Sequence, residues 1–122
     1  MSEAIDFSIL VGSHVPARTY KAGETIFKEG DPADALYVIK DGRVGIQAGN
    51  RLLDTLDSKT IFGEMALVDG APRSATAMAV TDVTLVPVSE RQFLFLVSQT
   101  PFFALNVMRV LAQRLRASNK SM

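Results

Sequence analysis

The chain has 122 residues, which suits one domain, and 48% of them are apolar, enough to bury a core. Thirteen basic residues balance thirteen acidic ones, so a general attraction to nucleic acid is not indicated. The absence of cysteine excludes disulfides, cysteine-ligated zinc and thiol catalysis, and the single histidine, His14, excludes a two-histidine metal site and reads as a surface residue.

The opening Met1-Ser2-Glu3-Ala4-Ile5-Asp6 is acidic and lacks the basic start of a secretory signal. No apolar run approaches membrane-spanning length. The expectation is a cytoplasmic protein without membrane contact. Ala4 to Val15, interrupted by Gly12, reads as a short helix or an irregular lead-in, and residues 1–19 are assigned to that lead-in.

Residues 20–88 carry short strand patterns separated by Gly- and Asp-rich turns. Thr25-Ile26-Phe27 and Leu36-Tyr37-Val38-Ile39 are the first two, split by the turn residues Glu29-Gly30-Asp31-Pro32. Asp41-Gly42 signals a hairpin into Arg43–Gln47, and Gly49-Asn50 leads into Arg51–Leu56. Ala75–Val80 and Val83–Val88 follow, split by Thr81-Asp82. Pro87 places its stretch near a sheet edge or a strand end. The pattern yields about six strands in a closed or double-sheet architecture.

Residues 89–118 change period. Ser89-Glu90-Arg91-Gln92 fits a capping box, after which Phe93, Leu96 and Val97 share a helical face. Thr100-Pro101 reads as a second helix start. Along that helix Phe103, Val107, Val110, Leu111 and Arg114 form one stripe, and Leu105, Met108, Ala112 and Leu115 a neighbouring one. Phe93, Phe95, Phe102 and Phe103 are expected to pack the helices on the strands, and Met65, Met78 and Met108 to fill core gaps.

The stretch with chemistry runs from Phe62 through Gly63-Glu64-Met65-Ala66-Leu67 and Val68-Asp69-Gly70-Ala71 to Pro72-Arg73-Ser74-Ala75-Thr76-Ala77. Gly63 permits positive φ and close approach of a ligand. Glu64 to Leu67 can form one helical turn, whose free N–H groups favour an anion. Arg73 supplies a planar donor fork suited to phosphate oxygens, beside the Ser74 hydroxyl. Glu64 would repel a phosphate, but it fits if it accepts a bond from a sugar hydroxyl and also orients Arg73. Taken singly, each feature is more often structural. Neither Ser74 nor Glu64 has a base or acid partner nearby, so no catalytic residue is expected.

This stretch resembles the phosphate-binding cassette of cyclic nucleotide-binding domains, whose pattern reads roughly F-G-E-hydrophobic-A-L, a variable loop, then P-R-S/T/A-A-T. The likeness extends over about Tyr20 to Leu115. It implies a mainly β fold: an antiparallel, jelly-roll-like β-roll of about eight strands with a phosphate-binding cassette at 62–77 that includes a short helix, and two C-terminal helices, all in one domain spanning 1–122. One departure is Ser58-Lys59-Thr60, where the family often has Pro-Gly-Asp; lysine tolerates positive φ poorly, so this turn is expected to differ locally.

The resemblance further implies a 3′,5′-cyclic nucleotide as ligand, with no other cofactor and no metal. Arg73 would pair with the phosphate, backbone N–H groups of Ala66 and Ala75 with the Ser74 hydroxyl would complete the cradle, and Glu64 with the Gly63 backbone would take the ribose 2′-hydroxyl; Met65 lies among them. Serine rather than threonine at position 74 favours cyclic AMP over cyclic GMP. Leu111, Arg114 and Leu115 are candidates to cover the base; for the two leucines core packing or a dimer seam is at least as good a reading, and for Arg114 a solvated helix end. The expected role is a stand-alone sensor acting through an unknown protein partner or through a homodimer on the last helix. The alternatives are a scaffold of the same fold without ligand and, third, a cyclic nucleotide phosphodiesterase.

Overall fold

The computed structural model describes residues 16–120, with the side chains of Ala66 and residues 118–120 left aside. The reading of Ala4–Val15 and the surface role of His14 fall outside the described residues. Among the described residues eight strands and three helices form; the strands are β1 (Arg18–Tyr20), β2 (Thr25–Phe27), β3 (Ala35–Asp41), β4 (Val44–Ala48), β5 (Arg51–Leu56), β6 (Ile61–Phe62), β7 (Thr76–Ala79) and β8 (Val83–Ser89). Three helices complete the order: α1 (Met65–Val68) between β6 and β7, then α2 (Glu90–Gln99) and α3 (Pro101–Lys120). All pairings are antiparallel, in two four-stranded sheets ordered β1-β8-β3-β6 and β2-β7-β4-β5.

Two cores share the strands β3, β6 and β8 of the first sheet. Between the sheets lie Tyr37, Ile39, Val44, Phe62, Ala77, Ala79, Val83 and Leu85. Behind the first sheet, Leu36, Val38, Ile61, Val86 and Val88 pack with Phe103, Val107 and Val110 of α3. Successive side chains of β3 therefore point alternately into the two cores, because strand side chains have period two. That is why Ala35–Ile39 reads as an unbroken apolar run: both of its faces are covered. Pro87 sits opposite Tyr37, past the end of β1, which pairs with Val83 to Leu85; at that point β8 has a hydrogen-bonded neighbour on one side only among the described residues.

The helix starts follow their capping chemistry. Gln92 N–H donates to the Ser89 hydroxyl at 3.2 Å, and the Gln92 side-chain oxygen accepts from Ser89 N–H at 2.9 Å. Thr100 closes α2 by donating to the Leu96 carbonyl at 2.7 Å, and Pro101 opens α3. Phe93, Leu96, Val97 and Leu111 lie against the second core, as the stripes require. Two expectations need correcting. Phe95 and Phe102 are 63% and 70% exposed and do not pack the helices on the roll, because they flank the buried stripe. Met65 and Met108 are also exposed and fill no core gap.

The turn before β6 carries the departure from the family pattern. Lys59 has φ +72°, the left-handed conformation a glycine adopts freely, and its N–H donates to the Ile39 carbonyl at 2.7 Å while Ile39 N–H donates to Thr60. The backbone is thus held as a glycine would hold it, with a lysine in place. Lys59→Gly is expected to stabilise the fold by about 1 kcal/mol, the left-handed penalty less the entropy glycine adds to the unfolded chain. Denaturant unfolding of the two proteins, read as a change in midpoint at constant slope, checks this.

Candidate ligand site

The cassette is a loop braced on two sides. Its Arg73 end is bonded to the β2–β3 turn: Gly30 N–H donates to the Arg73 carbonyl at 2.8 Å, Arg73 N–H to the Asp31 carbonyl at 2.9 Å, and Glu29 N–H to the Thr76 hydroxyl at 3.0 Å. That turn is itself closed by Asp31, whose carboxylate accepts from Lys28 N–H at 2.9 Å. At the far tip of the cassette, Ala71 N–H donates to the Asp69 carboxylate at 2.9 Å, shaping the loop after α1. Glu64 stands at the N-cap of α1 but makes no side-chain cap.

Arg73 is only 6% exposed, and its surroundings are neutral. One Nη donates to the Gly63 carbonyl at 3.1 Å and the other to the Ala35 carbonyl at 2.7 Å. The guanidinium carbon lies 4.1 Å from the centre of the Phe27 ring and 5.7 Å from that of Tyr37, a cation–π arrangement on the inner wall of the roll. The Nε–H is buried and has no hydrogen-bond partner. Gly63 is fixed by this contact: at φ +74° a Cβ would stand 2.7 Å from an Arg73 Nη.

Glu64, 5% exposed, is the other buried charged side chain of the described residues. It does not orient Arg73, contrary to the sequence expectation. Its carboxylate is paired with Arg114 of α3, whose second Nη donates to the Ile61 carbonyl. Among the described residues this is the only ion pair, so Arg73 has no carboxylate partner. The reason lies in direction: Arg73 turns toward β3 and Phe27, leaving the Glu64 carboxylate facing the helix. Glu64 and Arg114 balance each other, and Arg73 is left as a buried cation with no carboxylate partner. Burying an unpaired charge is costly, so the arrangement favours a singly charged anion against Arg73.

The remaining expected residues are placed as follows. Ser74 is exposed and Ala75 half-buried beside Arg73, and Met65 lies exposed on α1. Ala66 lies within α1. Of the three base-covering candidates, Leu111 packs on the core, Leu115 is exposed, and Arg114 is neither solvated nor free, being committed to Glu64 and Ile61. Sequence reasoning missed Phe27 and the Ala35 carbonyl. The only available signal for Phe27 was an aromatic next to the turn that pairs with the cassette; a backbone carbonyl has none. No group of three or more His, Asp or Glu side chains that could hold a metal occurs among the described residues.

Comparison with known proteins gives the family and the fold. The family model for the cyclic nucleotide-binding domain matches residues 17–100. The cyclic AMP receptor protein of Thermus thermophilus is 34% identical over 122 residues, covering 96% of this chain and 55% of the receptor. The crystal structure of the Thermus thermophilus catabolite activator protein superposes with a TM-score of 0.80 at 36% identity, over 89% of this chain and 54% of that one. The cyclic AMP-bound form of the EAL enzyme Bd1971 matches with a TM-score of 0.63 at 38% identity, over 86% of this chain and 30% of the enzyme. The chain thus spans about half the length of the curated relatives it matches, or less. The family match takes in all eight strands, the cassette and α2, and on that ground the chain belongs to the cyclic nucleotide-binding domain family.

Proposed function

We propose that the ligand is cyclic AMP in preference to cyclic GMP, and that the domain is a cytoplasmic regulatory module without catalysis of its own. The observation that carries this reading is Arg73: a buried cation with no carboxylate partner and an unpartnered Nε–H. A cyclic phosphate supplies the missing negative charge and an acceptor. The cyclic AMP named for the Thermus receptor and bound by Bd1971 supports the choice of ligand, and Ser74 supports adenine over guanine. Bd1971 also has a cyclic GMP-bound form, so the expected discrimination is modest.

Output would pass through a protein partner or a second copy of the chain. What supports this is the exposed apolar surface of α3 at Met108 and Leu115, on the stripe next to the buried one. The test of ligand is parallel calorimetric titration with cyclic AMP, cyclic GMP and 5′-AMP. Saturable heat with cyclic AMP, weaker binding of cyclic GMP and at least tenfold weaker binding of 5′-AMP are expected. No heat from either cyclic nucleotide, with the protein folded, overturns the reading.

A further inference from the structure

Phe27 reaches the cassette arginine through an irregularity of its strand. In a regular strand, adjacent side chains point to opposite faces. Yet Ile26 and Phe27 both pack on the core between the sheets. The pairing of β2 with β7 explains this: Thr25 lies opposite Met78 and Phe27 opposite Ala77, so two steps on β2 match one on β7. A bulge of this kind re-aims a side chain. Here it turns the Phe27 ring toward Arg73, whose guanidinium carbon lies 4.1 Å from the ring centre. The ring is braced in turn by Tyr37 and Phe62, at centroid distances of 6.1 and 5.9 Å. The turn that follows Phe27 bonds the Arg73 backbone through Gly30 and Asp31, so one segment holds both ends of the arginine.

The N–H donors of a guanidinium all lie in one plane. Arg73 spends one on the Gly63 carbonyl and one on the Ala35 carbonyl, and its Nε–H is unpartnered. The two bonded Nη atoms define an axis about which the plane could still tilt. The Phe27 ring opposes that tilt, because a cation gains most when it stays over the face. Resting on the cyclic nucleotide reading above, we infer that Phe27 is a positioning residue for the phosphate: it fixes the plane of Arg73, and with it the direction from which the anion is received. The ring covers one face of the guanidinium, so the anion comes in along the plane, toward the unpartnered Nε–H. A plane so fixed treats the two exocyclic oxygens of a cyclic phosphate unequally. Phe27 thereby contributes to which oxygen is held and how tightly, acting through Arg73.

The test uses cyclic AMP and its two phosphorothioate diastereomers, in which sulfur replaces one or the other exocyclic oxygen. Calorimetric titration of the native chain is expected to separate the two diastereomers. Phe27→Leu keeps apolar bulk but presents no aromatic face. It is expected to weaken cyclic AMP binding about three- to tenfold, the size of a partly desolvated cation–π contact, and to narrow the ratio between the diastereomers by a similar factor. Phe27→Tyr restores the face, and both quantities are expected to return to within about twofold of native. Phe27→Met serves as the variant without a face if Phe27→Leu does not fold. A loss of affinity with the diastereomer ratio unchanged would mean that the ring only fills space, and overturns the positioning role. So does Phe27→Leu binding that matches native, Phe27→Tyr binding as weak as that of Phe27→Leu, or a native chain indifferent to the two diastereomers. Each of these outcomes leaves cyclic AMP binding by the native chain in place. Failure of the folded native chain to bind cyclic AMP overturns the cyclic nucleotide reading itself, and the role of Phe27 with it.

Discussion

Arg73→Ala should lose about 2–5 kcal/mol of cyclic nucleotide affinity, some 30-fold to several thousandfold, because the phosphate loses a charge-assisted partner in a buried site. The fold should lose far less. Deleting Arg73 removes its bonds to the Gly63 and Ala35 carbonyls and its contact with Phe27, but it also removes a buried cation that no carboxylate balances. These effects oppose each other, and the net change in stability is expected to stay within about 2 kcal/mol. Arg73→Lys retains the charge but not the planar fork, whose separate Nη atoms reach the two carbonyls and whose face lies on Phe27; an intermediate loss is expected. Calorimetric titration beside denaturant unfolding separates the two quantities. An Arg73→Ala protein that unfolds outright would show a structural arginine and not a ligand-holding one.

The largest expected loss of stability lies far from the ligand. Gly42 turns the chain from β3 into β4 at φ +93°, against the β7–β8 turn. A Cβ there would stand 2.3 Å from the Asp82 carbonyl oxygen and 2.9 Å from the Val83 Cα, both backbone atoms that cannot swing aside. Gly42→Ala combines the left-handed penalty with that overlap and is expected to cost about 3 kcal/mol or more, lowering the melting temperature by on the order of 10 °C. Gly23→Ala is the internal control. Its φ is +91°, but a Cβ would meet nothing within 4 Å, so only the conformational cost of about 1–2 kcal/mol should appear. Equal melting temperatures for the two variants would rule out the clash.

Much of the fold was legible because each wall of the roll states its own periodicity. The six strands read from the pattern all form, but Asp41-Gly42 turns no hairpin: β3 and β4 do not pair, and the turn carries the chain from one sheet to the other. β1 and β6 were missed because three and two residues are too short to show alternation, and because β6 merges with the cassette. Their place comes from pairing with β8 and β3, which is a property of the assembled sheet. The cassette was legible for a different reason. Gly63 and Arg73 are chosen by backbone geometry and by charge, and both demands show in residue type. What stayed hidden was who pairs with whom. Nothing local tells Glu64 that its cation lies on α3, and the stripe that put Arg114 on the buried face of that helix says nothing of its partner. Exposed Phe95 and Phe102 were misread because an aromatic beside a buried stripe resembles one within it.

The Ala35 carbonyl has a consequence beyond holding Arg73. Ala35 begins β3, and the next residue, Leu36, points into the core that α3 covers. One peptide unit therefore separates the carbonyl that holds the Arg73 guanidinium from the surface on which the last helix rests. An anion that draws the guanidinium away from this carbonyl would loosen the first ladder position of the strand and shift the seat of Leu36. The strand then works as a short lever, with its fulcrum in the inter-sheet aromatic cluster of Tyr37, Phe27 and Phe62 and its load at the helix. Phosphate recognition would reach α3 through the backbone of β3, by a route separate from the Glu64–Arg114 contact.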